Sequence, residues 1–149
     1  MKIYDKKIIT NSSRQTEDLG RKLSQNLKSG DIICLYGDLG SGKTTFVKGL
    51  AVGLGIKTRI ISPTFVLLRE HITKNKNIKT LYHIDLYRLE DEQSIKNLGI
   101  EELFENKNSI VVIEWAEKLG NLLPKNRWDI KFESEDEKTR IISINRINN

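Results

Sequence analysis

An α/β fold with a mixed, mostly parallel sheet flanked by helices is predicted by three features of the sequence. Ile32-Ile33-Cys34-Leu35-Tyr36 and Ile110-Val111-Val112-Ile113 are continuous apolar runs of strand length, suited to strands buried on both faces. Segments with helical spacing interleave with them, as where Leu19, Leu23 and Leu27 recur every four residues. Late amphipathic segments add antiparallel strands at one side of the sheet.

Taken in order, the chain opens with a short strand over Lys2 to Thr10. Ser12 or Ser13 caps the helix that carries Leu19, Leu23 and Leu27, and Gly30-Asp31 ends it. After the strand Ile32 to Tyr36, a second helix runs from about Lys43 to Leu54 and is closed by Gly55. A strand near Arg59-Ile60-Ile61 follows, and another from Phe65 to His71. The polar loop Thr73 to Lys79 joins the latter to a strand over Thr80 to Ile84 as a hairpin. Asp91 to Phe104 reads as helix with Gly99 as a break. Trp128 to Phe132 and Thr139 to Asn145 read as amphipathic strands. Pro63 and Pro124 mark turns rather than a linker.

The 149 residues fit a single domain, 1–149, and 38% hydrophobic content is enough for a packed core. One Cys excludes an intrachain disulfide framework and a Cys-based zinc cluster. No apolar run approaches the roughly 18 residues of a membrane helix, and the charged N-terminus precedes no apolar stretch. A cytoplasmic protein without membrane or DNA contacts is expected. The net charge of +5 suits nucleotides, nucleic acid or acidic proteins. A Lys-rich solvated surface is the favoured reading, since no basic stripe interleaved with aromatics argues for a nucleic-acid patch.

Chemistry concentrates at Gly37-Asp38-Leu39-Gly40-Ser41-Gly42-Lys43-Thr44, which matches G-x-x-x-x-G-K-[ST] in full between a strand and a helix. Its glycines let the backbone turn N–H groups toward a phosphate, and the helix adds its positive dipole end. Lys43 is expected to reach β- and γ-phosphates and Thr44 to ligate Mg²⁺. Nucleotide contacts are expected from Asp38, Leu39, Gly40, Ser41, Gly42, Lys43, Thr44 and Thr45. The chain is therefore read as a single-domain P-loop NTPase.

Hydrolysis also needs a carboxylate near the metal. Asp85 and Glu114 end apolar strands, and ligands of open α/β sheets lie beyond the carboxyl ends of the strands. Glu114 is the stronger metal or water-activating candidate, the alternative being a surface Glu that opens a helix. For Asp85 the alternative is a turn or helix cap. His71 and His83 have no metal-pair spacing and read as structural, although His83 shares a strand face with Asp85. Cys34 reads as a small core residue. Trp115 either shields the nucleotide or packs.

No N-K-x-D string is present, which favours ATP over GTP. A small-molecule kinase and a nucleotide-gated interaction module remain as alternatives. The helix after the loop carries no evident arginine finger, and Arg88 alone stands close to a motif. Such a group is worth about 10³–10⁵ in rate, so an ATPase weak alone and stimulated by a partner is expected.

The loop and its extension Thr45-Phe46-Val47, with Ser62-Pro63-Thr64-Phe65, Tyr82-His83-Ile84-Asp85-Leu86-Tyr87-Arg88-Leu89 and Ile113-Glu114-Trp115-Ala116-Glu117, together resemble the TsaE family. These are bacterial ATPases of tRNA threonylcarbamoyladenosine biosynthesis. Leu98-Gly99-Ile100 and Leu122-Leu123-Pro124 fit the same pattern. The resemblance implies action with the TsaB–TsaD heterodimer, whose TsaD subunit transfers the threonylcarbamoyl group, and contact with tRNA only through that complex. It implies that Thr44 and Glu114 hold Mg²⁺ and that Asp85 orders the metal's water shell. It also implies that Ser62 to Phe65 senses the γ-phosphate, that Trp115 is a functional residue, and that Thr16 lies near the adenine. Ala116 departs from the Pro of some relatives.

Overall fold

The computed structural model describes residues 3–61 and 67–148. Strands β1 (Lys6–Thr10), β2 (Ile32–Tyr36), β3 (Leu68–Ile72), β4 (Thr80–Asp85), β5 (Ser109–Glu114), β6 (Arg127–Ser134) and β7 (Arg140–Ile147) form one seven-stranded sheet in the order β1-β7-β6-β2-β5-β4-β3. Helices α1 (Ser13–Ser24), α2 (Lys43–Gly53), α3 (Glu92–Lys96) and α4 (Ile100–Phe104) flank it, with 3₁₀ turns over Ala116–Leu122.

The parallel centre is β6-β2-β5-β4, while β3 pairs antiparallel at one edge and β7 and β1 at the other. Antiparallel strands thus stand on both sides rather than one, because the hairpin β3–β4 closes the side away from β6 and β7. The apolar runs behave as their composition predicts. Ile33, Leu35 and Val112 face α1 and α2, packing with Leu23, Phe46 and Leu50. Ile32, Cys34 and Val111 face the other way, onto Ile95, Ile100 and Leu119.

Two expectations change. Arg59-Ile60-Ile61 is irregular, not a strand. Its β-branched residues favour extended backbone, but both sides of β4 are already taken, by β5 and β3, and only Ile60 is buried. The helix expected over Asp91 to Phe104 is two short helices, α3 and α4, separated at Gly99, whose φ of +72° lies in the left-handed region. Within the expected strand Phe65 to His71, the described strand is β3; Ser62, Pro63, Thr64 and Phe65 lie outside the described residues.

What positions the site is the contact between α1 and α2. Gly49 on α2 lies so near α1 that an added Cβ would meet the Glu17 carbonyl oxygen at 1.8 Å, and one at Gly20 would meet the Phe46 carbonyl oxygen at 2.2 Å. Backbone thus packs on backbone. The Ser12 hydroxyl caps α1 by accepting from Gln15 N at 3.1 Å, and Thr10 and Thr16 share a buried hydroxyl hydrogen bond at 2.7 Å. The start of α1 is thereby fixed beside Gly42, where an added Cβ would lie 3.6 Å from Thr16 Cγ2.

Candidate active site

Parallel pairing aligns the carboxyl ends of β2, β5 and β4, and the Gly37–Thr44 loop emerges at that end. The loop needs its glycines for shape: Gly37, Gly40 and Gly42 have φ of +151°, +78° and +105°. Gly42 is the N-cap of α2 and no side chain caps that helix. The helix therefore begins with N–H groups directed to whatever lies before it, an arrangement suited to an anion. Ser41 Oγ is buried and has no hydrogen-bond partner among the described residues.

A cavity of about 640 Å³ opens over this loop. Of the residues expected to act, Thr16, Leu39, Gly40, Ser41, Gly42, Lys43, Thr44, Thr45, Asp85, Glu114 and Trp115 line it. Asp38 does not; it is exposed, and its carbonyl oxygen accepts from Lys43 Nζ at 2.9 Å. Lys43 Nζ also donates to the Gly37 carbonyl and sits 4.3 Å from the centre of the Trp115 ring. Burial pulls this ammonium below its ordinary pKa, opposed by the charges of Glu114, Glu117, Asp85 and Asp38.

Glu114 is the last residue of β5 and only 2% exposed, so the surface-Glu reading does not hold. The Thr44 hydroxyl lies 2.9 Å from Oε1 and 3.2 Å from Oε2, donating to the carboxylate. Asp85 stands beside it in register across β4 and β5. Its Oδ1 accepts from Tyr87 N at 2.9 Å, so the turn-cap reading of Asp85 is correct alongside its place in the cavity wall. Trp115 adopts φ +61° and ψ +43°, a left-handed conformation costing a non-glycine residue on the order of 1–3 kcal/mol. The turn sends its ring into the cavity wall, 5.1 Å centre to centre from Tyr87. Lys118 Nζ ties the neighbouring turn down by donating to the carbonyls of Tyr87 at 2.5 Å and Leu89 at 2.8 Å.

The donor set fits Mg²⁺. A hydroxyl and one buried carboxylate are hard oxygen ligands, and Mg²⁺ is commonly held by one or two carboxylates with phosphates and water completing its octahedron. Among the described residues no group of three or more His, Cys, Asp or Glu could hold a metal by itself.

Several cavity residues escape a reading of motifs. Ser12, Ser13, Tyr87, Glu137, Lys138 and Arg140 all line it. Among the described residues, Arg140, not Arg88, is the arginine in the wall, with Nη2 donating to the Gly40 carbonyl at 3.2 Å across 100 residues of sequence. His83 is fully buried with Nε2 at 2.5 Å from Glu114 Oε2, so its role is tied to the site rather than to packing alone. Cys34 is a core residue as expected, its thiol pushed up to about 12, first by burial and then by the Asp129 charge. Among the described residues no helix is long and apolar enough to cross a membrane.

Comparison with known proteins agrees in sequence and in fold. The family model "Threonylcarbamoyl adenosine biosynthesis protein TsaE" matches residues 10–142. A Bacillus subtilis (strain 168) protein named tRNA threonylcarbamoyladenosine biosynthesis protein TsaE is 36% identical over 140 residues, 94% of this chain and 85% of the relative. A Rickettsia felis protein of the same name is 41% identical over 138 residues, 92% of this chain and 78% of the relative. The crystal structure of YdiB from Bacillus subtilis superposes with a TM-score of 0.77 at 29% identity, covering 96% of this chain and 86% of that one. Loop, carboxylates, fold and sequence agree, and the chain belongs to the TsaE family.

Proposed function

We propose that this chain is a Mg²⁺-dependent ATPase required for forming N6-threonylcarbamoyladenosine in tRNA, acting with TsaB and TsaD homologues and hydrolysing ATP to support their turnover. Family membership supports the place in tRNA threonylcarbamoyladenosine biosynthesis. The observation that carries the ATPase reading is the hydrogen bond of Thr44 to the buried Glu114 carboxylate at the head of α2.

In this reading the loop N–H groups and Lys43 bind the phosphates, and Thr44 with Glu114 holds the metal. Bound Mg²⁺ would supply charge neutralisation at the β- and γ-phosphate oxygens. Asp85, at the end of the adjacent strand, orders the water around that charge. Trp115 and Tyr87 pack together in the cavity wall, where their rings would shield bound phosphates from bulk water on that side. Thr16 and the β6–β7 turn also line the cavity, and in this reading the nucleoside lies beside them.

Slow turnover by the isolated chain follows from the arginines. Arg140 commits its guanidinium to the carbonyls of Gly40, Asp136 and Thr139, and Arg88 lies outside the cavity wall. A partner that supplies or frees a positive charge at the γ-phosphate would raise the rate.

The test is reconstitution of modified tRNA from threonylcarbamoyl-adenylate, TsaB and TsaD homologues, and ATP, with modified nucleoside counted per TsaD. Multiple turnovers with the wild-type chain and a single turnover without it support the reading. Equal yield with and without the chain, or with the Lys43→Ala variant in its place, overturns it.

A further inference from the structure

Among the described residues, Glu114 has two hydrogen-bond partners, and they come from different places. Thr44 reaches it from α2, while His83 reaches it from β4, the strand next to its own. On β4, His83 alternates with Ile84 and shares the face of Asp85, so the pleat that sends Asp85 to the cavity sends His83 beneath it. The His83 ring is 0% exposed and the Glu114 side chain 3%. A carboxylate so buried needs donors, and the Thr44 hydroxyl is also the group that would face Mg²⁺. His83 is the donor that does not share its duty with the metal.

The bond has a direction. An ionised Glu114 can only accept, which puts the proton of the 2.5 Å contact on His83 Nε2. Among the described residues Nδ1 has no partner, and a proton there would be a buried donor without an acceptor. The ring is therefore held in one tautomer, with its N–H directed at Oε2. We propose that His83 is a positioning residue for Glu114. It fixes the rotamer of a flexible three-carbon side chain, so that the carboxylate meets Thr44 in the geometry that binds the metal. The inference rests on the metal role proposed for Thr44 and Glu114.

The test uses the full chain with a non-hydrolysable ATP analogue and Mn²⁺ as the probe, its binding followed by electron paramagnetic resonance. Removing the outer support of a metal ligand typically costs tenfold to a hundredfold in affinity. His83→Leu is expected to weaken Mn²⁺ binding by about tenfold or more. His83→Gln, whose amide N–H reaches the same point, is expected to recover most of it. In the wild-type chain, ¹⁵N spectra are expected to place the His83 proton on Nε2, with that signal perturbed by Glu114→Ala.

Wild-type Mn²⁺ affinity in His83→Leu, or the same loss in the Leu and Gln variants, overturns the proposal. So does a proton on Nδ1, which is decisive even if the variants do not fold. A wild-type chain that binds the ATP analogue but no Mn²⁺ overturns the metal reading itself and this inference with it.

Discussion

Thr44 Oγ1 lies 2.9 Å from Glu114 Oε1, so the first turn of α2 and the end of β5 are joined by one hydrogen bond at the bottom of the cavity. Thr44→Val keeps the shape and removes the donor. It is expected to abolish Mg²⁺-dependent strengthening of ATP-analogue binding. The cost to folding should stay near 1–3 kcal/mol, that of a buried acceptor losing one partner. Calorimetric titration with and without Mg²⁺, beside urea unfolding, measures both.

Glu114→Gln keeps the volume and removes the charge. If the carboxylate acts on metal and water, turnover falls by about a hundredfold or more while analogue affinity changes much less. Equal loss in the two measurements would assign Glu114 to structure alone.

The close approach of α1 to α2 leaves no room at Gly49. Gly49→Ala must push the helices apart, because the obstacle is the Glu17 carbonyl and not a movable side chain. Overpacking of this kind costs roughly 1–3 kcal/mol, despite the better helix propensity of Ala. Since α1 also carries Thr16 to Gly42, the variant is expected to lose nucleotide affinity as well as stability. A neutral or raised urea midpoint would contradict this packing.

Acid should weaken the fold through His71. Burial holds its pKa below the ordinary 6.5, with the nearby charge of Arg69 acting in the same direction. The unfolded chain then binds more protons in the window below about 6.5, so stability rises with pH there. The contribution is complete above that value and is lost as pH falls through the folded-state pKa. Urea midpoints between pH 7.5 and 5.5 are expected to drop in the wild type. The drop should be shallower in His71→Asn, which keeps a partner for the Thr58 hydroxyl now 3.2 Å from Nδ1.

Cys34 should be inert. With its thiol pushed up to about 12 and its side chain fully buried, the native chain is expected to react with an aromatic disulfide reagent only on unfolding. Rapid reaction at pH 8 without denaturant would mean that the face covered by α3 and α4 opens readily.

Fold and site were legible in the sequence wherever a local pattern decides the outcome. Ile32 to Tyr36 and Ile110 to Ile113 carry no charged residue, so strands covered on both faces accommodate them. The glycines and Lys43 of the loop sit at fixed spacing, and Glu114 is the first charge after an apolar strand. Contacts made by register and long loops were hidden. His83 meets Glu114 because β4 and β5 pair in parallel, and Arg140 meets Gly40 because β7 follows a turn back toward the loop. The same reason removed the strand at Arg59-Ile60-Ile61: local propensity favoured it, and the strand order left it no neighbour.

The most direct test of the account is phosphate release from ATP and Mg²⁺ by the isolated chain, repeated after adding the TsaB and TsaD homologues. The account predicts slow release alone and a rise on the order of 10³-fold or more with the partners, the scale of a supplied charge at the γ-phosphate. It also predicts that Glu114→Gln removes the rise. Full-rate release by the isolated chain, unchanged by the partners, would contradict it.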